Sequence, residues 1–374
     1  PFRAAKDAGA LSFMASFNAN NGIPASCNHH VLSDILRGEW GFDGFVVSDC
    51  FSVRELVPHR VAANEKDAAA MCIRAGLDMD MEDGIYATNL EELVKSGEVP
   101  MADIDRAVRG ILRAKFKLGL FENPYVRTPQ TVKYAPEHLE AARRAALESV
   151  IMLKNDKDVL PLSPAKTKRL LVTGPMADAS YNQLGTWIFD GEREHTVTLL
   201  NAFRSMYGDS IDIVYEPGLK TPRKNDAEDI ARAVAAAQNA DAIVLAVGED
   251  AILSGEGHSM ADIELVGGQT ALVEALKATG KPLVMIVMAG RPLAIGREAA
   301  MADAVLYSFH PGTMGGPALV DLLMGKESPS GKTPVTFPST SGQCPIYYNH
   351  ANTGRPATGN ELCIGDIPDD AGNT

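Results

Sequence analysis

Two acidic stretches hold the side chains with chemical reach. In GFDGFVVSDC, residues 41–50, the short run Phe45, Val46 and Val47 is followed directly by Ser48 and Asp49. A β-branched and aromatic run of this kind reads as a buried parallel strand. A carboxylate at the carboxyl end of a barrel strand stands where loops converge on a substrate, and it can attack as a nucleophile or move a proton. Asp49 capping the next helix fits the same position. The second stretch, GEDAILSGEGHSMADIEL over 248–265, carries Glu249, Asp250, Glu256, His258 and Asp262 after an apolar strand over 242–247. Loops at the carboxyl ends of sheet strands bind ligands, although a solvated acidic loop has the same composition.

The elements that position these residues are β/α in both halves. Before residue 122 the pattern predicts strands over 11–17, 45–48 and 77–81, with helices over 27–37, 64–75, 90–95 and 103–118. In the last helix Ile104, Val108, Ile111, Leu112 and Phe116 recur at helical spacing. Three β/α units are too few to close a barrel of eight, so the chain reads as the C-terminal part of one, with the remaining units expected upstream of Pro1. A Pro-, Asn- and Thr-rich stretch from Phe121 to about Leu139 reads as a linker, followed by a helix from Pro136 to about Leu147. Strands are then expected over 169–173, 211–215, 242–247, 283–288 and 304–308. Helices over 199–206, 226–239, 268–278 and 317–324 alternate with them. Continuous apolar strands alternating with helices imply a mostly parallel sheet covered on both faces. The expected division is a barrel part over 1–122, a linker over 123–145, an α/β sandwich domain over 146–345 and a tail over 346–374.

A net charge of −13 argues against nucleic acid as a partner. No apolar run is long enough to span a membrane. Cys27, Cys50, Cys72, Cys344 and Cys363 are odd in number and scattered, without a C-x-x-C pair, which is neither a disulfide framework nor a zinc site. HExxH and GxGxxG are absent too, so no cofactor is expected.

Together with ILRGEWGF upstream, the Asp49 stretch resembles the nucleophile region of glycoside hydrolase family 3, the β-glucosidase family. The later loop is similar to the family's G-E-(six residues)-E-(five residues)-D-I pattern, with Glu249, Glu256 and Asp262-Ile263 in the matching places. KATGKPLV (277–284), AGRPLA (289–294), PSGKTPVTFP (329–338) and PIYYNHANTGRP (345–356) extend the resemblance in order. It implies a retaining, exo-acting β-glucosidase acting on a β-glucoside or oligosaccharide. Asp49 would be the nucleophile and Glu256 the acid/base, with Glu249 as runner-up. Retention calls for two carboxyl groups flanking the bond at roughly 5 Å.

Further site residues follow from the same resemblance. Met14 and Phe17, in FMASFN, match positions lining the sugar pocket. Trp187, in LGTW, matches a loop that walls the leaving-group side, although a lone Trp is more often core. Cys50 stands where the family usually has Trp, which loosens the clamp around the leaving group. Relatives with this wording are commonly periplasmic or secreted, and a homodimer is left open. Other readings are a β-xylosidase, a β-N-acetylglucosaminidase, or an inactive sugar-binding fragment. The N-acetylglucosaminidase branch usually lacks a second domain, so residues 242–324 argue against it.

Overall fold

The computed structural model describes residues 1–127 and 132–349, and the chain divides into two compact units after Pro129. The expected tail over 346–374 lies mostly outside the described residues, as do residues 128–131 of the expected linker and Cys363. Among the described residues no helix is long and apolar enough to cross a membrane.

The first unit begins with helix α1 (Phe2–Asp7) and strand β1 (Ser12–Met14), then a small hairpin of β2 (Ala19–Asn20) and β3 (Ile23–Pro24). A 3-10 turn (Ala25–Cys27) and a π-helix (His30–Glu39) stand where one α-helix over 27–37 is expected. Asn28 separates them: its extended backbone breaks the path, and its Oδ1 accepts from the Val31 amide at 3.1 Å. Strand β4 (Phe45–Val47) follows, then helices α2 (Glu65–Ala75), α3 (Ile85–Lys95) and α4 (Met101–Lys117). Helix α2 starts on Asn64, whose side chain accepts from the Asp67 amide at 3.0 Å.

Strands β1 and β4 pair in parallel, with Ser12 opposite Phe45 and Met14 opposite Val47. On the other side of β4 the expected strand over 77–81 shrinks to one parallel bridge, Met79 to Val47. The barrel is not closed. Val46, Leu56, Ile73 and Leu77 are buried in the unit's core. Arg37 and Arg106 converge on buried Asp78, whose Oδ2 also accepts from the Val46 amide at 2.7 Å.

The second unit opens with α5 (Pro136–Ser149), so part of the expected linker is helical. Its Arg143 bonds Asp321 at 2.6 Å in the helix over Gly315–Leu323. Strands β5 (Ile151–Asn155), β6 (Arg169–Thr173), β7 (Asp212–Glu216), β8 (Ala242–Gly248), β9 (Leu283–Met288) and β10 (Ala304–Tyr307) form one sheet in the order β5-β10-β9-β8-β6-β7. All pairings are parallel except that of β5 with β10. Helices α6 (Ser180–Leu184), α7 (Leu199–Tyr207), α8 (Ala227–Ala237), α9 (Gln269–Lys277), α10 (Gly296–Met301) and α11 (Gly315–Leu323) belong to the same unit. Alternation along a strand sends successive side chains to opposite faces. Val244 and Ala246 of β8 join the core with Leu147, Leu200, Phe203 and Leu319. Ile243, Leu245 and Val247 join the other, with Ala233, Leu272 and Leu276. A strand buried on both faces is what the unbroken apolar run demands.

Candidate active site

The chain beyond β4 is turned outward by Ser48. Its amide donates to the Met79 carbonyl at 2.9 Å, and its buried Oγ accepts from the Met81 amide at 2.8 Å. Asp49 follows, half-buried, with Oδ1 accepting from the Cys50 amide at 2.8 Å. Because β1 and β4 are parallel and in register, their carboxyl ends open on one edge. The structure therefore brings Met14, Phe17, Asp49 and Cys50 to that edge; Met14 is exposed and Phe17 half-buried.

Cys50 is paired with a carboxylate. Its thiol donates to Glu82 Oε2 at 2.9 Å. That bond, then burial, then the charges of Glu82, Asp49 and Asp83 push the thiol up to about 11, so it stays protonated at neutral pH. Arg54, which had no sequence-level role, uses its amide on Asp83 Oδ2 at 2.9 Å and its Nε on Glu65 at 3.0 Å. Burial raises the Asp83 carboxyl above its ordinary range. Asp80 spends Oδ2 on the Tyr86 amide at 3.1 Å, while its buried Oδ1 has no hydrogen-bond partner among the described residues. Among the described residues no group of His, Cys, Asp or Glu is arranged to hold a metal ion.

In the second unit the loop after β8 separates its carboxylates by environment. Glu249 is buried, and its Oε1 accepts from Arg291 Nε at 3.2 Å and the Gly290 amide at 3.1 Å. Asp250 accepts from Asn182 Nδ2 at 3.1 Å and Arg223 Nε at 2.7 Å. Asp262 accepts from Ser341 Oγ at 2.8 Å and the Glu264 amide at 3.1 Å, bonds that hold its carboxyl below the ordinary range. Glu256 is exposed. Asp262 is exposed too, so what separates Glu256 from the other three is that it has no hydrogen-bond partner among the described residues.

Trp187 stands beside this loop. Gly255 has φ +113°, a conformation suited to glycine, and a methyl there would sit 2.9 Å from Thr186 Cγ2 and 3.5 Å from Trp187 Nε1. Thr186 Oγ1 donates to the carbonyls of Ala251 and, at 2.8 Å, Ser254. Trp187 is 60% exposed and meets Phe189 edge to face at 5.2 Å, so it is not a core residue. Sequence reasoning missed Asn182, Thr186, Phe189 and Arg291 as neighbours of the Glu256 loop. Arg291 lies within the noted AGRPLA motif and Thr186 within LGTW, while Asn182 and Phe189 carry no local signal.

The sequence profile of the Glycosyl hydrolase family 3 N terminal domain matches residues 1–114, and that of the family's C-terminal domain matches residues 150–363. The chain belongs to glycosyl hydrolase family 3. It is 39% identical to the periplasmic beta-glucosidase of Salmonella typhimurium, over 95% of this chain and 50% of that protein. It is 38% identical to a beta-xylosidase of Formosa agariphila, over 93% of this chain and 50% of that one. The solved beta-glucosidase of Listeria innocua in complex with glucose superposes with a TM-score of 0.87 at 37% identity, covering 96% of this chain and 48% of that one. The chain spans about half the length of the family 3 relatives it matches.

Proposed function

We propose that this family 3 chain is the catalytic portion of a retaining, exo-acting β-glucosidase that removes terminal non-reducing β-D-glucosyl residues. Asp49 attacks the anomeric carbon while the bond to the leaving oxygen breaks. Glu256 gives its proton to that oxygen, then takes one from the water that releases the sugar from Asp49. Met14 and Phe17 line the glucosyl side and Cys50 and Trp187 the leaving-group side, where an indole face suits a sugar or aryl ring. The working domains are 1–122 and 146–345, and the protein is periplasmic or secreted. What carries it is the 39% identity to a periplasmic beta-glucosidase along nearly the whole chain. The strand-end position of Asp49 and the exposure of Glu256 support it.

The 38% identity to a beta-xylosidase favours a second reading, hydrolysis of β-xylosides. Nitrophenol release from aryl β-glucoside and aryl β-xyloside separates the two. The glucoside is expected to turn over with the higher kcat/KM, and Asp49→Ala to lower it by about 10⁴-fold or more. A higher value on the xyloside would transfer the assignment to that sugar. Unchanged turnover in Asp49→Ala would remove Asp49 from the chemistry.

A further inference from the structure

From residue 249 to 262 the loop carrying Glu256 is irregular apart from one 3-10 turn, Ala251–Leu253. Its own backbone therefore does little to aim the carboxyl. Arg291, three residues beyond the end of β9, spans it. Its Nη2 donates to the Leu253 carbonyl and, at 3.1 Å, to the His258 carbonyl. Those carbonyls stand three residues before Glu256 and two after it, so one nitrogen ties the segment into a closed turn. Nε of the same guanidinium is fixed on Glu249. The Glu249 side chain is 2% exposed and that of Arg291 19%, and charge-assisted bonds sheltered from water hold geometry well.

The backbone of Arg291 is pinned as well. The buried Tyr307 hydroxyl donates to its carbonyl and accepts from the Leu293 amide at 3.0 Å. Gly290, next in line, is packed so close to Ser254 that a side chain there would collide with it. Glu249, Arg291 and Tyr307 thus form a rigid post reaching from the sheet to both flanks of Glu256.

The geometry points to Arg291 as a positioning residue for proton donation by Glu256. The inference rests on the reading of Glu256 as acid/base and deepens it: Arg291 acts through the loop, with Glu249 as its counter-ion. A lysine would keep the charge but lose the fork that bridges two carbonyls and a carboxylate. Poor leaving groups need a proton as the glycosidic bond breaks, whereas strongly acidic phenols leave without one. Displacing Glu256 therefore slows the first class selectively, while loss of folded protein lowers both equally.

The test is kcat/KM of the full chain on methyl β-glucoside and dinitrophenyl β-glucoside, for wild type, Arg291→Met, Arg291→Lys, Glu249→Gln and Glu256→Gln. Arg291→Met is expected to lose about 100-fold on the methyl glucoside and no more than about 3-fold on the dinitrophenyl glucoside. Arg291→Lys and Glu249→Gln should lose less, with the same selectivity. Equal losses on both substrates, or none, in all three variants would overturn the positioning role. If Glu256→Gln is selective and the Arg291 and Glu249 variants are not, only this inference falls. If Glu256→Gln is itself unselective, the acid/base assignment falls and takes this one with it.

Discussion

Asp49 stands two residues beyond Val47, the last residue of β4, whereas Glu256 stands eight residues beyond Gly248, the last of β8. The first follows an anchored neighbour: Ser48 is bonded to Met79 and Met81, and the Asp49 carboxyl accepts from the Cys50 amide. The loop carrying the second is tied by side chains distant in sequence, Thr186 on the flank before Glu256 and Arg291 on both flanks. A carboxylate next to a strand inherits the rigidity of the sheet. One on a long loop must be given rigidity by bonds that close the loop, and each such bond is a separate point of failure.

The contrast can be broken at Ser48 first. Ser48→Ala leaves the part-buried Met81 amide without its acceptor, a cost of about 1–2 kcal/mol. A urea melt should show that loss, with Asp49-dependent turnover falling alongside it. An unchanged midpoint would mean that the strand end needs no such tie. Thr186→Val is the matching change in the second unit. It keeps the volume but removes the bonds to the Ala251 and Ser254 carbonyls, costing about 1 kcal/mol. In a Trp40→Phe background, Trp187 emission should shift as its loop loosens. A shift no larger than in a surface control would detach Trp187 from the Glu256 loop.

Cys50 gives the smallest effect and sharpens the electrostatic side. Glu82 is the main reason its thiol is pushed up to about 11, so Glu82→Gln should lower that value and raise the thiolate fraction at pH 8. Alkylation of Cys50 by iodoacetamide is then expected to quicken by roughly tenfold or more. An unchanged rate would mean that burial, not Glu82, keeps the thiol protonated.

Legibility in the sequence follows the same divide. Strands β8 and β9 are uninterrupted apolar runs between polar turns, so their places and their burial on both faces could be read directly. The place of Asp49 followed from Phe45–Val47 alone. Ile151–Asn155 was not recognised as a strand, because IMLKN runs on from the helix before it without a turn residue and pairs antiparallel at the sheet edge. The break at Asn28 depends on a bond that Asn28 makes to Val31, invisible to apolar periodicity. The Glu249–Arg291 pair spans 42 positions, and no local pattern announces a partner that far away. Segments that fold on nearest neighbours were readable, and those fixed by distant side chains were not.

The central claim is that Asp49 forms a covalent bond to the sugar. Incubation with a 2-deoxy-2-fluoro-β-glucoside bearing a dinitrophenyl leaving group, followed by peptide mass mapping, tests it directly. The account predicts one fluoroglucosyl group per chain, attached to Asp49 and absent in Asp49→Ala. A label on another residue, or dinitrophenol released without any label, would contradict it.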